Sequence, residues 1–141
     1  MKILIMGLPG SGKTYLAERL QPLLEAAWYN ADKVRGMAGD WDFSDDGRTR
    51  QSLRMKTLAD FEVFHNRFVI CDFVCPTEET RNIFDPDVVI WLDTIKEGRY
   101  EDTNDMFETP EDIDYHVSEW FEDTHQKLLE VISAWMLRKE S

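Results

Sequence analysis

Near its start the chain carries Gly7-Leu8-Pro9-Gly10-Ser11-Gly12-Lys13-Thr14, a complete G-x-x-x-x-G-K-[ST] pattern directly after the apolar run Ile3-Leu4-Ile5-Met6. Its glycines allow a tight backbone concavity whose N–H groups point inward at phosphate oxygens, a curvature that side chains there would obstruct. Lys13 adds a charge for β and γ phosphates. Thr14 offers a hydroxyl to the Mg²⁺ that bridges them, and the helix it opens directs its positive dipole end at the same anions. The expected ligand is a nucleoside triphosphate with Mg²⁺, held by Gly7 to Thr14, with Lys13 also taking part in catalysis. Context supports the motif, because the apolar positions Leu16, Leu20, Leu23 and Leu24 that follow fall on one helical face.

In an open α/β sheet, ligands bind outside the carboxyl ends of the strands, so polar residues just past each apolar run are the next candidates. Past the second run comes Asn30-Ala31-Asp32-Lys33-Val34-Arg35, with a carboxylate able to orient a hydroxyl and a guanidinium able to clamp an anion. Asp32 is read as that base or orienting group, with a helix N-cap as its structural alternative. Asp72, after Phe68-Val69-Ile70-Cys71, is read as holding a water on Mg²⁺, so that Thr14 and Asp72 form the metal site; Asp93 competes for the same role. The stretch from Asp40 to Arg54 reads as a turn followed by a helix starting at Ser44 or Asp45, with acidic residues suited to its first turn. Arg48, Gln51 and Arg54 recur on one face of that helix, as either an acceptor-facing set or ordinary exposed polar residues.

The elements that must position these groups alternate. Strands are expected at 2–6, 28–30, 68–72 and 88–92, and helices at 13–26, about 45–65, 77–84 and 118–138. Near-continuous apolar strands between helices predict a doubly wound α/β fold, a three-layer sandwich around a central parallel sheet. At 141 residues, with no linker or repeat, the expectation is one domain over 1–141.

The formal charge of −12 and pI near 4.6 are unusual for a protein of anionic ligands, so the positive field must be local. They make a long nucleic acid an unlikely partner, since strand binding needs a basic track. No apolar run approaches a membrane span and the first strand starts at residue 2, which together predict a soluble, cytoplasmic protein with no membrane partner. A homodimer is left open. Cys71 and Cys75 have neither a redox nor a zinc spacing and read as structural thiols. His65, His116 and His125 are scattered and are assigned no site. Residues 101–123 carry many carboxylates and no Lys or Arg, which reads as a solvated acidic surface.

Taken together these motifs resemble the adenylylsulfate kinases, a family of P-loop kinases. Gly7 to Thr14 is close to the family's GLSGSGKT, Ala31-Asp32-Lys33-Val34-Arg35 is similar to D-G-D-N-[IV]-R, and Phe43-Ser44-Asp45-Asp46-Gly47-Arg48 is similar to F-S-x-x-D-R. Cys75-Pro76 with Arg81 resembles S-P-Y-x-x-x-R. The resemblance covers roughly residues 1–93 and implies a kinase-type P-loop NTPase fold, ATP as donor and a small anionic nucleotide, adenylylsulfate, as acceptor. It implies that Asp32 acts near the acceptor's 3′-hydroxyl, that Arg35 and Arg48 bind its phosphosulfate, and that Phe43 stacks on its adenine. Gln51, Cys75 and Pro76 complete the implied acceptor site, Gln51 standing for the usual Asn and Cys75 for the usual Ser.

Three departures stand against the pattern. Asn30 replaces the first Asp of D-G-D, Gly47 replaces the Asp of F-S-x-x-D-R, and the family's long basic lid after the fourth strand is replaced by a shorter acidic stretch in which only Lys96 and Arg99 are basic. They keep two alternatives in play: a kinase for another small acceptor or a polynucleotide 5′ end, and a nucleotide-binding protein without transferase activity.

Overall fold

The computed structural model describes residues 1–95, 106–119 and 123–140. Five parallel strands form one sheet in the order β2-β3-β1-β4-β5. These are β1 (Lys2–Met6), β2 (Ala27–Asn30), β3 (Val69–Asp72), β4 (Val88–Leu92) and β5 (Tyr115–Val117), and the helices are α1 (Lys13–Leu24), α2 (Ala31–Ala38), α3 (Asp45–Phe64), α4 (Glu78–Phe84) and α5 (Thr124–Glu140).

Alternation along the central strands separates two apolar layers. Ile3, Ile5, Ile70, Ile90 and Leu92 face Leu16 and Leu20 of α1 and Leu128 and Ile132 of α5. Leu4, Met6 and Cys71 face Val34 of α2, Met55 and Ala59 of α3, and Phe84 of α4. Each fully buried Leu or Ile contributes on the order of 1.5–3 kcal/mol, so these layers hold the sheet between its helices and make the three-layer α/β sandwich. β1 and β3 are buried along their whole length, as near-continuous apolar runs require, whereas β2 is only partly buried at the sheet edge and β4 alternates.

Three elements differ from the sequence expectation. β5 is a three-residue edge strand, too short to leave a periodic signal. α2 follows β2 without any loop, because Asn30 ends the strand and caps the helix, its side chain accepting from Lys33 N at 3.0 Å. Ser118 and Glu119, expected in the last helix, lie in a bend after β5.

α1 ends at Leu24, with Glu25 at φ 51°. Ser44 caps α3, accepting from Gly47 N at 3.2 Å, as its place before two acidic residues suggests. Lys96, Arg99 and the core of the expected lid stretch fall at 96–105, outside the described residues. Among the described residues no helix is long and apolar enough to cross a membrane.

Candidate active site

The phosphate loop leaves the carboxyl end of β1 between β3 and β4, and it is packed against the end of β4. A Cβ on Gly7 would meet the Leu92 carbonyl oxygen at 2.5 Å and the Ser11 hydroxyl oxygen at 2.7 Å, so only glycine fits there. Thr94 fastens the same junction by donating to Ser11 O at 2.7 Å. Lys13 folds back over the loop, donating to Gly7 O at 3.0 Å and Leu8 O at 3.1 Å. Burial lowers its ammonium to about 8, against the opposing pull of Asp72 and Asp32.

Asp72 ends β3 beside this loop and is buried. Its carboxylate accepts from Trp28 Nε1 at 3.2 Å and from Asn30 Nδ2 at 2.8 Å, and it hydrogen-bonds Thr14. Burial pushes the carboxyl up to about 6, the Trp28 bond, the Lys13 charge and the Asn30 bond pulling it down. Asn30 Nδ2 also reaches Thr14 Oγ1 at 3.3 Å. One amide therefore does two things: its oxygen starts α2 and its nitrogen ties the two expected metal ligands together.

The residue that departs from the resembling motif thus has a structural role of its own: its type suits a helix cap, and the bonds to Thr14 and Asp72 come from its place at the strand end. Asp93, the rival to Asp72, is engaged elsewhere: its Oδ2 lies 3.0 Å from His116 Nε2, and the imidazole stacks on Trp91 at 4.3 Å. His116 thereby has a carboxylate neighbour that its sequence spacing did not suggest.

Because Asn30 is the cap, Asp32 is not. It sits in the first turn of α2, exposed, on the wall of a cavity of about 790 Å³ that also takes in Lys13, Thr14 and Asp72. Arg35, Phe43, Arg48, Gln51 and Cys75 line the same cavity.

Arg35 is buried and donates from Nη1 to Asp40 O at 3.0 Å and Asp42 O at 3.1 Å. Arg48 donates from Nε to Phe43 O at 3.0 Å. Both guanidinium groups lie over the Phe43 ring, at 4.4 Å and 5.5 Å from its centroid. Gln51 is buried, donating to Ala31 O at 3.1 Å and accepting from Arg54 Nη1 at 2.6 Å, so its amide joins α2 to α3.

Cys75 has φ 47° and a buried thiol 3.7 Å from Thr80 Oγ1; burial pushes that thiol up to about 12, which fits a structural group and not a nucleophile. Pro76 is outside the cavity wall. Its carbonyl accepts from Arg81 Nη2 at 3.1 Å and from Glu108 N at 2.7 Å, which turns this backbone toward α4, so the acceptor-site placement implied for Pro76 is not what its contacts make. Arg81 clamps the same turn, donating also to Cys75 O at 3.0 Å and Glu108 O at 2.6 Å.

Asn30, Trp41, Ser52 and Phe73 share the wall without having been singled out for it. Trp41 had a discoverable signal, an aromatic two residues from Phe43 in the same turn, and Phe73 had its place just past the third strand; Ser52 had none.

Among the described residues no group of three or more His, Cys, Asp or Glu is able to hold a metal alone. Thr14 and Asp72 are hard oxygen donors, which suit Mg²⁺, an ion that takes one or two protein ligands and fills its remaining positions with phosphate and water.

A family model described as adenylylsulphate kinase matches residues 1–88. A probable adenylyl-sulfate kinase of Aeropyrum pernix is 35% identical over 88 residues, which cover 56% of this chain and 46% of that protein, so the match spans about half the length of that relative. Among solved structures, a Mycobacterium tuberculosis APS kinase in complex with AMPPNP and APS superposes with a TM-score of 0.73 at 15% identity, over 94% of this chain and 96% of that one. A shikimate kinase from Aquifex aeolicus gives 0.69 at 17%, over 97% and 99%. At such identities the likeness carries the fold alone, the α/β sandwich of the P-loop kinases.

Proposed function

Since the chain belongs to the adenylylsulphate kinase family, we propose that it transfers the γ-phosphoryl group of ATP to the 3′-hydroxyl of adenylylsulfate, giving phosphoadenylylsulfate and ADP. The observation that carries this reading is a single cavity with a phosphate loop on one wall and Asp32, Arg35, Phe43 and Arg48 on the other. A nucleotide switch or a structural nucleotide site has no need of that second wall.

In this reading the loop amides and Lys13 hold the donor phosphates, Lys13 leaving the Gly7 and Leu8 carbonyls to do so. Asp32 accepts the hydrogen bond of the attacking hydroxyl and fixes its direction, and takes its proton as the bond to phosphorus forms. Arg35 and Arg48 neutralise the acceptor's anion. Both are held by the backbone of the 40–43 turn, so little reorganisation is left for the reaction. Thr14 and Asp72 would hold Mg²⁺, which would supply positive charge against the phosphates as negative charge develops.

The test is ADP release from ATP and Mg²⁺ with adenylylsulfate present or withheld. Release that depends on adenylylsulfate and is lost in Lys13→Ala supports the reading; equal release with shikimate or a nucleoside monophosphate in its place overturns it.

A further inference from the structure

The ends of β2 and β3 present an amide and a carboxylate side by side. Asn30 and Asp72 are register partners in this parallel pair, each the last residue of its strand, and Asn30 Nδ2 donates to Asp72 Oδ1 at 2.8 Å. The other carboxylate oxygen is held from the same strand, Trp28 Nε1 donating to Oδ2 at 3.2 Å. Both members of the pair also reach the phosphate loop at Thr14: Asn30 Nδ2 lies 3.3 Å from its Oγ1, and Asp72 hydrogen-bonds it. Two strand ends therefore meet one loop hydroxyl and bring a single negative charge to it.

A second carboxylate at this place would be costly. Asp72 is only 2% exposed, and with aspartate at position 30 the 2.8 Å contact would join two like-charged oxygens that water hardly reaches. Two amides would fail the other way, leaving Thr14 with no carboxylate at the strand ends. One of each meets both conditions, and the hydrogen bonding allows either assignment, because Asn and Asp have the same shape. With the two exchanged, an aspartate at the end of β2 still accepts from Lys33 N and so caps α2. An asparagine at the end of β3 still accepts from Trp28 Nε1 through its oxygen, and donates across the register through its nitrogen.

We infer that Asn30 and Asp72 are one carboxylate–amide unit, in which the charge that the resembling motif carries at the end of β2 has crossed the register to the end of β3, with Asn30 as the positioning residue that orients Asp72 beside Thr14. The departure at Asn30 is thus compensated across the sheet. This rests on the reading that ATP binds with Mg²⁺ at the phosphate loop, and it is independent of which acceptor is used.

The experiment measures ATP binding to the full chain by calorimetry, in excess Mg²⁺ and again in EDTA, together with the thermal midpoint in EDTA. The proteins are the native chain, Asp72→Asn, Asn30→Asp and the double exchange Asn30→Asp/Asp72→Asn. The readout is the gain in affinity that Mg²⁺ confers, a ratio that a general loss of structure does not move selectively. Asp72→Asn is expected to lose about tenfold or more of that gain, with its affinity in EDTA no weaker than native, since a negative charge beside the loop has gone. Asn30→Asp, which sets two carboxylates side by side, is expected to melt about 5 °C below the native chain. The double exchange is expected to return the midpoint to within about 2 °C and the Mg²⁺ gain to within about threefold of native.

A double exchange that keeps the deficit of Asp72→Asn, or that does not fold, overturns the unit. So does an Asp72→Asn protein with the full Mg²⁺ gain, or an Asn30→Asp protein that melts with the native chain. Each of these leaves the proposed reaction standing, because the native chain still binds ATP. A native chain that takes up no ATP in either condition overturns both.

Discussion

Lys13 and Asp72 titrate toward each other from opposite ends of the pH scale, and the cause is the same in both. Burial penalises the charged form of each, lowering Lys13 from 10.5 to about 8 and raising Asp72 from 3.8 to about 6. Their mutual attraction is too weak to cancel that penalty, so the loop that must receive a highly charged triphosphate holds a lysine that loses its proton within the working range. Donor phosphates restore the charged form, so ATP binding above pH 8 takes up a proton, and the sign follows: affinity falls as pH rises through about 8. Calorimetry in buffers spanning about pH 7 to about pH 9.5 should show the dissociation constant of ATP rising up to tenfold per unit above the Lys13 value. Lys13→Arg keeps its charge throughout and should show a flat profile, whatever its absolute affinity. A native profile as flat as that of the arginine variant would show that Lys13 is not the group being charged. At this scale the motif was fully legible in the sequence, because type and spacing define it. What spacing did not reveal was Asn30, whose two bonds to Thr14 and Asp72 depend on strand register that brings Asn30 beside Asp72.

The element that shapes the acceptor wall is the turn between α2 and α3. Its side chains make few apolar contacts, and charge holds it: Arg50 and Arg54 keep the Asp40 carboxyl far below the usual carboxylate range. Arg50 also reaches Asp42 Oδ2 at 3.2 Å. Asp40→Asn removes the charge and keeps the shape, so the turn's link to α3 should weaken, leaving Arg50 with Asp42 and Arg48 with the Phe43 carbonyl, while Arg35 still holds its carbonyls. The expected outcome is a KM for adenylylsulfate raised about tenfold, with kcat within about twofold and KM for ATP unchanged, since the donor phosphates are held by the phosphate loop and Lys13. Equal changes in both KM values would mark a general loss of structure instead. The same turn explains a departure that the sequence showed without a reason. A Cβ at Gly47 would collide with the Asp42 carbonyl and carboxyl, so the aspartate of the resembling motif has no room here. Ser44 as cap and the two central strands were legible because capping and burial are local signals. β5 and α2 were not: β5 has three residues, and α2 begins at the residue directly after the strand, with no turn between them to mark its start.

Across the whole molecule, net charge and local charge oppose each other. The chain carries 28 acidic and 16 basic residues, yet Lys13, Arg35 and Arg48 converge on one cavity, with Arg50 and Arg54 behind its wall. The excess of −12 repels itself in the compact state and is relieved as the chain expands on unfolding, so screening should stabilise the fold. The same screening weakens favourable pairs such as Arg50 with Asp40 and Lys56 with Asp60, but exposed pairs of this kind contribute only about 0–1 kcal/mol each. Repulsion therefore outweighs them. Raising sodium chloride from about 10 mM, where the Debye length is about 30 Å, to about 300 mM should raise the thermal midpoint by about 5 °C. Arg50→Gln separates the two contributions, since it deletes the pairs to Asp40 and Asp42 and takes the net charge to −13. Its midpoint should start lower and climb more steeply with salt than that of the native chain. A midpoint that falls with salt in the native chain and not in Arg50→Gln would mean that the pairs of this turn outweigh the acidic excess, and that the turn carrying Trp41 and Phe43 is a principal source of stability as well as a wall of the cavity.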